Sequence, residues 1–493
     1  MIAAHFPILQ VILPLMAAPV CVLLRREALA WWVGLSTTWV ALVNAILLLD
    51  RSLTLGPITY ALGDWAAPLG IVYRIDALNG TLLLLVSTVA AVLLPYARMS
   101  VLREIGSAGA SLFYAALLLC MAGLMGMLAS GDVFNVFVFL EISSLSAYAL
   151  VAMGQNRQAL TAAFQYLIMG TLGGTFILIS IGFLYAATGT LSMADLAVQL
   201  PLTGHPRAVQ TAFAFFIVGI SLKLALFPLH LWLPNAYAHA PSVVTVFLAA
   251  TATKVAIYVL LRFGFDLFGV HRIFPEPILA RIFPLLAGLG VIAASVSALY
   301  QNNVKRRFAY SSVAQIGYIV LGISLFSPPG INAGLLHLLN HALIKGALFM
   351  ALGCLYYRLG STSLPALAGV AREMPLTAAA FVVSGLSLIG VPLTAGFISK
   401  WYLLQAALAT GQWFVGVIIL AGSLLALAYV WRVVEQLYLH AAPTDRAPVK
   451  EAPWSMLAPT WILTLANLYV GIDGHLMVTL AGQATQALLV GAP

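Results

Sequence analysis

Four of the six lysines in this 493-residue chain, Lys223, Lys254, Lys345 and Lys400, sit inside long apolar runs. None of the seventeen arginines lies near the centre of such a run. Both residue types are costly at mid-bilayer, so cost alone does not explain the split. Titratability does, because a desolvated lysine gives up its proton readily and arginine in effect never does. A series of buried lysines therefore suits proton transfer, whereas a fixed counter-ion could be an arginine equally well. Glu141 is the acidic counterpart, about nine residues into the span within GDVFNVFVFLEISSLSAYALVAMG and so near its midplane. A carboxyl alone at that depth stays protonated, and a lysine beside it favours the ionised pair. Such a pair could bind and release a proton, or could simply fasten two helices together.

The run GLLHLLNHALIKGALF spaces His337, His341 and Lys345 by four. On a helix they share one face, about 6 Å apart per step. Histidine titrates near 6.5 when unperturbed and passes a proton by either ring nitrogen. A pair of histidines at this spacing also suits a metal, but that face holds no carboxylate or cysteine and Lys345 would repel a cation. The sequence thus gives no metal site and no residue set for a redox cofactor, and plain interhelical hydrogen bonding is the competing reading. Ser311, Ser312, Gln315 and Tyr318 in one span, with Tyr258 one turn beyond Lys254, could extend a water-bearing path or act as glue between helices.

The elements that position these groups include two interrupted segments. ISLKLALFPLHLWLPNAYAHAPS carries Pro228, Pro234 and Pro241, and LSLIGVPLTAGFISKWYLL carries Gly390, Pro392 and Gly396. Proline removes a backbone donor and clashes with the preceding turn. In lipid such a break survives only where protein or a water-filled cavity satisfies the freed groups. Each break lies within about eight residues of a lysine, and paired interrupted segments point to an inverted-repeat transporter. Lipid-facing kinks are the alternative.

With 62% hydrophobic and 8% charged residues, the chain has about a third of the roughly 25% charge of a soluble domain. A soluble enzyme, a disordered chain and a disulfide-stapled secreted fold are excluded. Cys21, Cys120 and Cys354 lie in apolar runs and read as small buried hydrophobes. The first apolar stretch reads as a retained span, not a signal peptide. Helical spans of roughly 20 residues are expected at 6–24, 29–49, 76–97, 109–129, 132–153, 160–187, 209–231, 242–264, 281–300, 308–327, 332–357, 376–405, 412–437 and 456–481. The stretch near 53–75 reads as a surface hairpin. Thirteen basic residues fall in odd-numbered connections and six, among them Arg262 and Arg272, in even ones. The expectation is an all-α, multi-pass protein of the inner (plasma) membrane with both termini outside. The pI of 9.4 then reflects this bias and implies no nucleic-acid partner.

Taken together, FNVFVFLE with Glu141, LKLALFPLHLWLPNAYAHAPS with Lys223, TATKVAIYVLLR with Lys254, HLLNHALIKGALF and GVPLTAGFISKW resemble the antiporter-like proton-translocating subunits. That family includes the D-type polypeptide of Mrp-type cation/proton antiporters and the equivalent subunits of membrane-bound hydrogenases and complex I. The resemblance covers nearly the whole chain. It implies about fourteen transmembrane helices with two inverted five-helix repeats, each with a broken helix: 1–107 before them, 108–264 and 281–438 as the repeats, and 439–493 holding the last helix. It pairs Glu141 with Lys223, makes Lys254 the connecting lysine, His337, His341 and Lys345 the central relay, and Lys400 the terminal group. It implies other membrane subunits as partners and no cofactor. GTLSMADLA and the lysine at 400 favour the Mrp D-type and hydrogenase branch, although the N-type complex I subunit also has lysine there, and the M-type carries glutamate. The expected function is proton movement through a Glu/Lys/His relay, with sodium or potassium as the ion an Mrp-type complex would exchange. A complex I-type or hydrogenase pump, an autonomous transporter and a passive scaffold are the rival readings.

Overall fold

The computed structural model describes residues 2–269, 278–443 and 446–490. Helices α1 (Phe6–Leu24) and α2 (Glu27–Thr54) precede an antiparallel hairpin of β1 (Ile58–Ala61) and β2 (Val72–Ile75). Then come α3 (Ala77–Glu104), α4 (Ser107–Ala129), α5 (Val133–Ala152), α6 (Arg157–Thr188) and the short α7 (Met193–Gln199). An interrupted helix follows as α8 (Pro206–Leu224) and α9 (Trp232–His239), and a second as α10 (Ser242–Ala250) and α11 (Ala252–Leu261). The second half holds α12 (Ile278–Leu299), α13 (Val304–Ile323) and α14 (Pro328–Leu359). After these come α15 (Pro375–Ile389), α16 (Ala395–Ala409), α17 (Trp413–Tyr438), α18 (Trp454–Ile472) and α19 (His475–Val490).

Twelve of the described helices are long and apolar enough to cross a membrane, or thirteen if a bent pair around Pro375 counts as one. The two remaining expected spans correspond to α13, whose first turn carries Lys305, Arg306 and Arg307, and to the interrupted pair α15–α16. At the C-terminus the expected single span 456–481 is two helices, α18 and α19, parted at Asp473 and Gly474. Averaged hydropathy hid the stop: Asp473 bonds the amide of His475 with its own carboxylate at 3.1 Å, starting a fresh helix.

Helix α14 is the axis of the second half. Its membrane window is wholly buried, and α3, α10, α13, α15, α16, α18 and α19 all pack on it. Several N-termini are capped by short polar side chains, since lipid leaves no backbone donor to water. Asp76 accepts from Leu78 and Asn79 ahead of α3, Asp132 from Asn135 ahead of α5, and Asn303 from Arg306 ahead of α13.

The two halves repeat one another. Val133 donates to the Leu191 carbonyl and Met193 to that of Gly131; Val304 donates to Thr362 and Leu364 to Asn302. Val133 and Val304, Leu191 and Thr362, Met193 and Leu364, Gly131 and Asn302 are each 171 positions apart. So are the C-cap glycines of α6 and α14, Gly189 (φ 73°) and Gly360 (φ 67°), which adopt the left-handed conformation glycine tolerates. The first bridge joins the hairpin end of α3 through Gly131 and Val72. The second adjoins Lys305, whose partner Ala240 lies two residues before Ser242, held by Glu104 at the other end of α3. With α3 about 42 Å long at about 1.5 Å per residue, the same motif stands at opposite ends of the bundle, which makes the repeats inverted.

Candidate functional site

In the first half, Lys223 in the last turn of α8 meets Glu141 of α5 at 3.2 Å and the Ser144 hydroxyl at 2.9 Å. The Lys223 side chain is 7% exposed and that of Glu141 23%. Room for the carboxylate comes from α6: a Cβ on Gly174 would fall on Glu141 Oε1. The break after α8 opens with Ala225 in the left-handed conformation (φ 56°), and Pro228 lies in the gap. Two orphan carbonyls there are satisfied, Ser221 by the Leu226 amide at 3.0 Å and Leu222 by the Trp232 indole at 2.9 Å. Trp232 stacks on Tyr166 of α6 at 4.1 Å, fixing α9 against α6. Pro234 lies in the first turn of α9, where a missing amide costs little.

Beside Lys223 is a cavity of about 40 Å³ lined also by Ser144, Tyr166 and Thr253, enough for about one water at roughly 30 Å³ each. Next to Thr253 in the chain is Lys254, fully buried on α11, whose ammonium donates to the Ala249 carbonyl and to Thr253 Oγ1 at 3.4 Å. The Ala249 carbonyl is free for this because the helix breaks at Thr251 (φ −124°, ψ −58°). Among the described residues no hydrogen bond joins Lys254 to Lys223 or to Lys345.

Among the described residues the second half has no carboxylate at its centre. His337, His341 and Lys345 are all fully buried on α14, and the two imidazoles stack with centroids 6.2 Å apart. His337 bridges Ser399 and Gln315, each at 2.9 Å. Among the described residues both ring nitrogens of His341 are without a partner, and since at least one carries a hydrogen, a water is the partner such a site calls for. Lys345 donates to the Phe308 carbonyl at 2.8 Å and to Ser311 of α13. The 171-residue repeat sets His337 opposite Tyr166, His341 opposite Gly170 and Lys345 opposite Gly174. The titratable row on α14 therefore has only small or phenolic counterparts on α6.

Lys400 on α16 closes the row. It donates to Leu388 and Ile389 carbonyls at 3.0 and 2.9 Å and to Ser423 at 3.0 Å, and lies over the Tyr318 ring at 4.9 Å. A cation at the carbonyl end of α15 is favoured by the helix dipole. The break turns on Gly390 (φ 92°), with Pro392 in the gap. Gly396 is required by space, since a Cβ there would overlap the Ser387 carbonyl, while its amide donates to Ser387 Oγ at 3.2 Å.

Three basic residues counted by the sequence as loop charges are buried. Arg262, 4% exposed, forms ion pairs with Asp76 and Asp266. Lys305 donates to the Ala240 carbonyl beside Glu104, which caps α10 through the Ser242 amide at 2.8 Å. Arg307 is fully buried and binds carbonyls of Gln301 and Tyr429. Their sequence positions at span ends match those of solvated charges, so only packing separates the two. Arg272 lies outside the described residues. Ser144, Thr253, Ser311, Gln315, Ser399 and Ser423 are further side chains that bond the row; of these, the polar spacing along α13 pointed to Ser311 and Gln315.

Residues 130–426 match the family model described as NADH:quinone oxidoreductase/Mrp antiporter, TM. The chain is 41% identical over 495 residues to NADH-quinone oxidoreductase subunit N of Desulforudis audaxviator, covering 97% of each. It is 28% identical to the D-type polypeptide of the Na(+)/H(+) antiporter of Bacillus subtilis, covering 98% of this chain and 97% of that one. Among solved structures, a chain of the archaeal membrane-bound sulfane sulfur reductase superposes with a TM-score of 0.88 at 30% identity, covering 98% and 97%. A chain of the Mrp complex from Dietzia sp. DQ12-45-1b shares the fold, with a TM-score of 0.90 at 24% identity over 99% and 98%.

Proposed function

The chain belongs to the NADH:quinone oxidoreductase/Mrp antiporter transmembrane family, and on that premise we propose that it moves protons along the buried row from Glu141 to Lys400. It is an antiporter-like membrane subunit, and its structural relatives come from multisubunit membrane complexes. The observation that carries the proposal is the contrast among the four buried lysines: Lys223 is held by a carboxylate at 3.2 Å, while among the described residues the other three have only carbonyl and hydroxyl acceptors. A fixed counter-charge traps a proton, and neutral acceptors let it leave. Opening the Glu141–Lys223 pair frees the Lys223 ammonium to repel charge on Lys254. The proton then passes by water to His341 and Lys345, and by His337 and Ser399 to Lys400. Lys400 releases it to the far side or to a neighbouring subunit. The basic loops face the cytoplasm in this reading, with both termini outside the plasma membrane.

The 41% identity to an N-type relative favours partner subunits that supply energy by electron transfer over those that exchange sodium or potassium. Everted vesicles distinguish the two by NADH-driven against sodium-driven pH change. The relay itself is tested by Glu141→Gln in the assembled complex. Proton transport is expected to fall to background with assembly unchanged, and native rates would refute the relay.

A further inference from the structure

Where the hairpin, α7 and the end of α11 meet, a cavity of about 300 Å³ opens at the hairpin end of the bundle. Exposed Thr59, Ala67, Ala194 and Val198 line its mouth, and Arg74, Arg262 and Asp266, with the neutral Tyr258 hydroxyl, are its polar lining. The volume fits about ten waters at roughly 30 Å³ each. Arg262 bonds Asp266 Oδ2 at 2.9 Å and donates through Nε to the Tyr258 hydroxyl at 3.2 Å. Among the described residues Asp266 Oδ1 is buried without a hydrogen-bond partner, so cavity water is the donor that suits it. Arg74, Asp76 and Arg262 are the other charged groups acting on Asp266. Tyr258 stands one turn beyond Lys254 on α11, and its hydroxyl donates to the Leu128 carbonyl at 3.0 Å.

We propose that this cavity is an aqueous port of the first half, through which Lys254 exchanges protons with the compartment at the hairpin end by way of Tyr258 and Asp266. The proposal rests on the proton-transport reading and adds a port to it. A proton leaving the Lys254 ammonium travels over water past the Tyr258 hydroxyl, protonates the Asp266 carboxylate, and returns from it to water. No other reactant is consumed.

The test uses Ala197→Cys, a half-buried lining position, in the assembled complex; Cys21, Cys120 and Cys354 are buried and stay unmodified. A membrane-impermeant trimethylammonium thiosulfonate is applied from the hairpin end, and transport is compared in the same variant before and after labelling. A cationic adduct in the port is expected to slow transport about fivefold and an anionic one less, by field effects in a confined channel. Asp266→Asn is expected to slow transport similarly and to erase the difference between adducts. Complete labelling with an unchanged rate overturns the port. If Glu141→Gln is inactive in that case, the relay stands without the port; if Glu141→Gln transports normally, the relay reading itself falls.

Discussion

Replacing Gly174 with alanine should open the Glu141–Lys223 pair without removing either charge. The added methyl would occupy the place of Glu141 Oε1, the oxygen that bonds Lys223, and the flexible carboxylate is what must move. At 3.2 Å the attraction is about 5 kcal/mol at an effective dielectric of about 20, falling to about 3 kcal/mol at about 6 Å. The difference of about 2 kcal/mol lowers the closed-to-open ratio about 30-fold. Because Lys223 keeps Ser144 at 2.9 Å, the ammonium stays in place while its counter-charge leaves. Gly182 on the same helix serves as the control, because a Cβ added there would meet nothing within 4 Å. Both alanines gain about 1 kcal/mol of helix propensity by the aqueous scale, so any difference between them comes from the pair. Dye-quenching measurements of proton transport in everted vesicles, normalised to assembled complex, should show Gly182→Ala at the native rate and Gly174→Ala reduced about tenfold or more. Equal rates for the two would refute the claim that pair closure is part of the transport cycle.

Three further outcomes are expected. Lys400→Arg keeps the charge at the end of α15 but holds its proton, so transport should fall more than about tenfold with assembly intact; a rate near native would remove Lys400 from the path. Asp76→Ala strips Arg262 of one of two carboxylates and α3 of its capping box, a loss of about 3–5 kcal/mol. A thermal melt of the detergent-solubilised complex checks this, and an unchanged midpoint would contradict it. Glu104→Ala removes the side chain that caps α10, costing about 1–2 kcal/mol, so its melting shift should be smaller than that of Asp76→Ala.

Much of the site was legible because lipid makes charge rare. Lys223, Lys254, Lys345, Lys400 and Glu141 stood out in apolar runs, and Pro228, Gly390 and Pro392 marked two breaks by their backbone chemistry. The pairing of Glu141 with Lys223 was not readable from residues alone, since 82 positions separate them and nothing local specifies a partner. The break at Thr251 carries neither glycine nor proline, so it left no signal, although it frees the carbonyl that Lys254 uses. Arg262, Lys305 and Arg307 read as loop charges because hydropathy measures neighbours in sequence, and their burial is set by neighbours in space. The C-terminal span was drawn too long for a related reason, as averaging smoothed over the Asp473–Gly474 stop and the span ends at Ile472.

The twin bridges 171 residues apart also speak to ancestry. They imply one five-helix unit copied in tandem, and five is an odd number. A second copy joined directly to the first necessarily threads the bilayer the other way up, so duplication alone delivered the inversion. The ancestral unit must then have tolerated insertion in both directions, with little bias in its loop charges. The equivalent positions 174 and 345 now hold glycine and lysine, so the two copies keep one backbone plan and no longer share one chemistry.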